Sequence, residues 1–318
     1  MSDYLIYCDD FQEGIWFQSL DNRLANAELE VIPSQRAQIE RLGLYNVLKY
    51  DRPGIILQDN NETIFVLERT VEVPSGHNVG QRYGRLLAAA EARIPTVYFG
   101  PYAAYKHGGN TAGPRYMSLR LFYALRKVSE IYDTAVTTIN WPVDQQYEVL
   151  RTPEKGNRLK QYLQLFFDYY DRNGSDGLTE YIYHSDFQKQ QYLEQDYFAQ
   201  REIRNPEQYD VPPESLEIIP IAEFNRRYGL DVHFANQIRR VVLYHVGMTN
   251  IRSDPYTGMA ALYTNLYGDE NSAVILEFAN IERARWYQQS RLSKTYRMFK
   301  AFSDGIVFKD SFVTHDDL

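Results

Sequence analysis

The sequence predicts a protein of the α/β (α+β) class, with a mixed central sheet flanked by helices and a helix-rich second half. Three observations lead there. Residues 34–127 run in the order helix, hairpin, helix, strand, glycine-rich loop, helix; short apolar strand patterns return near the end of the chain; and the helical stretches between them are amphipathic.

Taken in order, "SQRAQIERLGLYNVLK" (34–49) has a Ser cap signal and apolar residues at helical spacing, which predicts one helix. "YDRPGIIL" and "TIFVLERTVEV" are β-rich runs separated by "QDNNE", the signature of a hairpin. "VGQRYGRLLAAAEA" predicts a helix over 79–92 and "IPTVYFG" a buried strand, followed by the loop "GPYAAYKHGGNTAGPRY" and the amphipathic helix "MSLRLFYALRKVSEIY". Beyond it "NRLKQYLQLFFDYYDR", "FANQIRRVVLYHV" and "TGMAALYTNLYG" predict helices, while "SAVILEFANI" and "DGIVFKDSFV" predict strands. The division expected is 1–150 for a core and 151–318 for a region that completes the fold, with "RNPEQYDVPPES" (204–215) as a linker-like stretch and a further candidate boundary near 205–215. No internal repeat or low-complexity tract is present.

Bulk composition removes several function classes. No window holds 18 consecutive apolar residues and the N-terminal stretch lacks a signal-peptide pattern, so neither membrane nor export is expected. The single cysteine, Cys8, rules out an internal disulfide and fits a cytoplasmic, reducing compartment. The six histidines have no zinc spacing, and neither a GxSxG elbow nor a GxxxxGK[ST] loop occurs. The net charge of -8 is uneven: residues 1–78 carry 6 basic against 13 acidic side chains, 79–127 carry 8 against 1, and 128–318 carry 20 against 28. A basic island thus follows an acidic strand, as expected where carboxylates hold a cation and arginines meet a polyanion.

Strand alternation puts Ile64, Val66, Glu68, Thr70 and Glu72 on one face and Phe65, Leu67, Arg69, Val71 and Val73 on the other. A two-residue turn at Asn60 and Asn61 sets Asp51 opposite Thr70 and Lys49 opposite Glu72, gathering one polar patch. Three carboxylates repel one another unless a cation sits among them, and Mg²⁺ is the ion an all-oxygen set takes. Lys49 would supply positive charge to a transition state, and the following helix presents Gln81, Arg82 and Arg85 to phosphate. Lys106, His107 and Arg115 surround three glycines in a loop suited to anion contact. Arg252, with His245 and Tyr256, stands at a helix start that Ser253 or Asp254 can cap, a second DNA-contact candidate. The 27 tyrosines, clustered at 162–170 and 181–197, suit half-buried core better than a base-stacking surface.

The block "YDRPGIILQDNNETIFVLERTVEVPSGHNVGQR" resembles the PD-(D/E)xK nuclease superfamily, the fold of many type II restriction endonucleases, within residues 34–127. That resemblance implies a Mg²⁺-dependent endodeoxyribonuclease acting on double-stranded DNA, commonly as a homodimer. Glu68 would match the family's metal-binding acid, Asp51 its first acid and Gln81 its helix glutamine. Two departures stand out: Gly54 follows Pro53 where the family has aspartate, and Thr70 takes the place of its lysine, with Lys49, Arg82 or Lys106 as substitutes. The alternatives are an inactive DNA-binding protein of the same fold and a protein-interaction module.

Overall fold

A computed structural model of the 318-residue chain describes residues 3–76, 78–105, 113–235, 237–251 and 256–318. It divides into two compact units, residues 1–75 with 85–204 and residues 76–84 with 205–318.

The first unit opens with β1 (Tyr4–Cys8), buried along nearly its whole length, and α1 (Phe11–Gln18), whose first turn is capped by Asp10 accepting the Gln12 amide at 2.6 Å. The edge strand β2 (Glu28–Val31) follows. The single helix expected over 34–49 is two short ones, α2 (Arg36–Arg41) and α3 (Tyr45–Leu48). Gly43 breaks it, turning to φ +68°, where a side chain is disfavoured.

Next comes the hairpin of β3 (Ile55–Asp59) and β4 (Glu62–Arg69), closed by Asn60 and Asn61, both at positive φ as a type I′ turn requires. The expected register holds for Asp59 with Glu62 and Gln58 with Thr63, then slips by one at a bulge, so that Leu57 faces Phe65 and Ile55 faces Leu67. Strand β3 begins only at Ile55. Lys49 and Asp51 therefore precede the sheet, and the expected pairing of Asp51 with Thr70 and Lys49 with Glu72 does not form.

Helix α4 (Asn78–Glu91) crosses over to β5 (Thr96–Gly100), parallel to β4. The two-residue strands β6 (Ala103–Ala104) and β7 (Arg115–Tyr116) precede α5 (Leu119–Tyr132) and β8 (Val136–Asn140). The mixed sheet has the order β2-β1-β3-β4-β5-β8, with β3 alone reversed. Three further helices, α6 (Asn157–Asn173), α7 (Leu178–Tyr183) and α8 (Asp186–Glu202), belong to this unit. They move the division from residue 150 to 204. Phe166 and Tyr162 of α6 pack on Phe65, and Gln188 of α8 accepts the Thr137 hydroxyl of β8 at 2.7 Å, so these helices cover the sheet itself.

One face of the sheet is an aromatic layer containing Phe17, Phe65, Phe99, Trp141 and Phe166; the other, smaller layer holds Tyr7, Ile56, Val66 and Ala89. Burying one such aromatic side chain contributes about 2–3 kcal/mol. Phe65 and Leu67 point to the first layer and Val66 to the second, so alternation sends Glu68 and Arg69 to opposite faces at the end of β4.

The second unit carries β9 (Leu216–Pro220), α9 (Ile221–Tyr228), β10 (Arg240–His245), α10 (Tyr256–Tyr267), β11 (Ser272–Phe278), α11 (Arg283–Tyr287), α12 (Lys294–Ala301), β12 (Gly305–Phe308) and β13 (Phe312–Thr314). Its sheet order is β13-β12-β11-β10-β9. "FANQIRRVVLYHV", expected as a helix, contains β10: Val241 to Leu243 are wholly buried between β9 and β11, and a continuous apolar run carries no period to tell strand from helix. "DGIVFKDSFV" forms a hairpin of two strands rather than one strand.

Within this unit the start of α4 meets α10 through two glycines. A Cβ on Gly258 would stand 1.8 Å from the Gly80 carbonyl oxygen. Alanine normally favours a helix interior by about 1 kcal/mol over glycine. Here Gly258→Ala is expected to destabilise the protein by roughly 1–3 kcal/mol through overpacking, read as a lower urea midpoint; an unchanged or higher midpoint would contradict the close approach.

Candidate functional site

Strands β1, β4, β5 and β8 run in one direction, so their carboxyl ends share an edge of the first sheet, the place where open α/β sheets present their chemistry. Glu68, the penultimate residue of β4, is fully buried there. Arg85 of α4 donates from Nη1 to Glu68 Oε1 at 2.9 Å, and its Nε lies 3.7 Å from Asp51 Oδ2. The two acids singled out in the sequence thus meet around one guanidinium. Strand pairing does not bring them together; the crossover helix does.

The remaining expected residues scatter. Lys49 donates to Glu91 at 2.9 Å, and the Tyr50 hydroxyl shares that carboxylate, so Lys49 is drawn to the end of α4 rather than to the Glu68 patch. Thr70 is buried just past β4, where its hydroxyl accepts the Glu72 amide at 3.1 Å. Glu72 therefore sits half-buried in a turn, not on the strand face. Gln81 and Arg82 are half-buried in the part of α4 that belongs to the second unit, and Arg115 is half-buried in β7. Lys106, His107 and Arg252 lie outside the described residues.

Sequence reasoning passed over Glu13. It sits on α1 with Oε1 3.6 Å from Arg69, and Gly54 leaves room beside it: a Cβ there would come within 3.0 Å of the same oxygen. Burial pushes the Glu13 carboxyl up to about 7; Arg69 opposes the shift, and Glu68, Asp9 and Asp10 add to it. Burial and then Glu13 likewise raise the Cys8 thiol, which makes it a poor nucleophile. "CDDFQEG" did carry a signal, since Asp10 at a cap and Glu13 three residues on is a capping-box spacing that places an acid at a strand's carboxyl end.

No family model, curated protein or solved structure matches the chain.

The donor set does not fit Mg²⁺ as it stands. Asp51 and Glu68 share Arg85, and among the described residues no group of three or more His, Cys, Asp and Glu side chains is arranged to hold a metal. No helix among the described residues is long and apolar enough to cross a membrane.

The second unit has its own charged cluster. His245, at the end of β10, bonds Glu217 Oε1 from Nε2 at 2.8 Å and Glu277 Oε2 from Nδ1. Glu277 is the stronger cause of the raised His245 pKa; burial opposes it, and Glu217 adds. Arg227 holds both Glu217 oxygens at 2.9 Å, and the Tyr228 hydroxyl donates to Glu277 at 2.6 Å. Every acid here is matched by a donor, so the cluster ties α9 to β9, β10 and β11 as a structural network.

Glu13 gives the first unit a pH signature. Its folded pKa lies above the ordinary carboxylate value, so the folded state holds the proton more tightly, and the stability linked to it falls as pH rises from about 4.5 through about 7. Glu13→Gln removes that penalty. Relative to the parent, the variant is expected to gain stability between pH 5 and pH 8 by on the order of 3 kcal/mol at most, measured by urea unfolding at both values; an equal difference at both would contradict the shift.

Proposed function

We infer that the first unit is an endodeoxyribonuclease core of the restriction-endonuclease type, working at the carboxyl edge of its sheet around Glu68. The observation that carries this reading is a fully buried carboxylate at the end of β4, held by an arginine from the helix that leads to the next parallel strand. The topology supports it: β1, β3 and β4 lie side by side in antiparallel pairs, and α4 then returns the chain to β5 alongside β4. Double-stranded DNA is the substrate in this reading, and a homodimer suits two-fold sites.

In this reading magnesium, if bound, would polarise the phosphodiester. The described side chains do not form its site, so the chain's own contribution is what can be derived. Arg85 fixes Glu68 and brings Asp51 to the same guanidinium, which is exposed on 25% of its side chain and so faces both acids and solvent. Glu13 is divided between its two protonation states near pH 7 and can give or take a proton at the same edge.

One observation favours a second reading, DNA binding without cleavage: Arg85 occupies the ground between Asp51 and Glu68 that a metal would need. Supercoiled plasmid incubated with Mg²⁺ or EDTA, beside Glu68→Gln, separates the two. Cleavage that needs Mg²⁺ and slows by roughly 100-fold or more in a folded variant, about 2.7 kcal/mol of lost transition-state stabilisation, is the expected result. Intact DNA with a salt-sensitive gel shift supports binding alone; intact DNA without a shift contradicts both.

A further inference from the structure

The opposite face of the same sheet edge carries a second arrangement, independent of Glu68. Arg69, the last residue of β4, lies over two indoles, its guanidinium carbon 4.8 Å from the Trp16 ring centre and 5.2 Å from that of Trp141. The Lys155 ammonium lies over the same pair, at 5.5 and 5.2 Å. Phe99 is stacked between the indoles, with centroids 5.8 Å from Trp16 and 5.0 Å from Trp141 and planes within 11° of each, so the three rings form one rigid wall. All of these residues belong to the first unit.

Two cations against one aromatic wall need compensation. Ring faces attract each cation only weakly at exposed sites, and they do not cancel the repulsion between the two charges. Among the described residues the ion-pair partner of Arg69 is Glu13, at 3.6 Å, beyond hydrogen-bond length and only partly ionised near pH 7. The Arg69 Nε is buried without a hydrogen-bond partner, and no described acid pairs with the Lys155 ammonium. Burial lowers the Lys155 pKa, and the nearby positive charges of Arg69 and Arg151 lower it further. The unmet requirement is negative charge with several acceptor oxygens.

We propose that Arg69 and Lys155, set against Trp16 and Trp141, form a binding site for a single phosphate group. A planar guanidinium fork and a compact ammonium are complementary donors for a tetrahedral oxoanion, whose charge-assisted bonds are about twice as strong as neutral ones. The Glu13 carboxyl, when protonated, adds an O–H donor where a carboxylate would repel. Arg151 contributes long-range attraction from the exposed rim. The phosphate can come from solution or from the end of a nucleic-acid strand; the recognising chemistry is the same.

Two of the chain's three tryptophans form the wall, so ligand entry is read directly by intrinsic fluorescence; Trp286, in the second unit, adds a constant background. The full chain is titrated with inorganic phosphate in EDTA at constant ionic strength, without DNA, which keeps the result separate from any cleavage. A saturable change is expected, with the half-saturating concentration raised roughly tenfold or more in Lys155→Gln and in Arg69→Gln, each checked for folding by circular dichroism. Lys155 is half-buried on the rim, so its variant keeps the test decisive where the deeper Arg69 substitution unfolds the chain. A 5′-phosphorylated trinucleotide competing better than its 5′-hydroxyl form assigns the phosphate to a strand end, and equal competition assigns it to free phosphate. No saturable change, or one that both variants leave unaltered, overturns the site.

Discussion

A carboxylate with no exposed surface at the end of a central strand is the constraint around which the first unit is arranged. Leaving the Glu68 charge buried and unpaired would cost several kcal/mol, so a cation must reach it. Arg85 does so from one turn of α4, which fixes the rotation of that helix over the Val66 and Ala89 layer and draws the Asp51 segment in behind it. Lys49, excluded from that pair, is held by Glu91 toward the other end of α4. The helix is thus anchored by charge at two places, and its apolar side covers the sheet between them.

Strand alternation then divides the chemistry of the edge. Glu68 and Arg69 are adjacent in sequence and on opposite faces, so the acid meets α4 while the arginine meets α1 and the aromatic wall. The faces still feel each other: Glu68 contributes to the raised pKa of Glu13 across the strand end. An acid pair centred on one arginine and a cation pair centred on two indoles lie at the end of the same strand.

Much of the local structure was legible in the sequence because short-range physics decides it. Asn60-Asn61 accepts positive φ and makes the hairpin; the apolar periods of α4, α5 and α6 follow from the faces they bury. The bulge at Leu57/Gln58 left no mark, since both residues suit a buried strand, and the expected partner of Asp51 was lost because β3 begins only at Ile55, beyond Pro53 and Gly54. Arg85 was marked for phosphate, not for Glu68, because its contact depends on how α4 crosses the sheet. Strand β10 was hidden by its unbroken apolar run. The linker-like stretch ending at Ser215 does begin at the observed division near 204, but α6 to α8 fell on the far side of the expected split at 150, because buried glutamines such as Gln188 and Gln195 bind α8 to the first unit through hydrogen bonds that resemble surface polarity in sequence.

The dependence of the fold on the Glu68–Arg85 pair is tested most directly by a double-mutant cycle, with Glu68→Gln, Arg85→Gln and the double variant compared by urea unfolding at neutral pH. The pair as described gives a coupling energy of about 2–3 kcal/mol, with each single variant much worse than expected from the double. Additive effects, within roughly 0.5 kcal/mol, would mean that Glu68 is satisfied in another way and that Arg85 does not organise this edge.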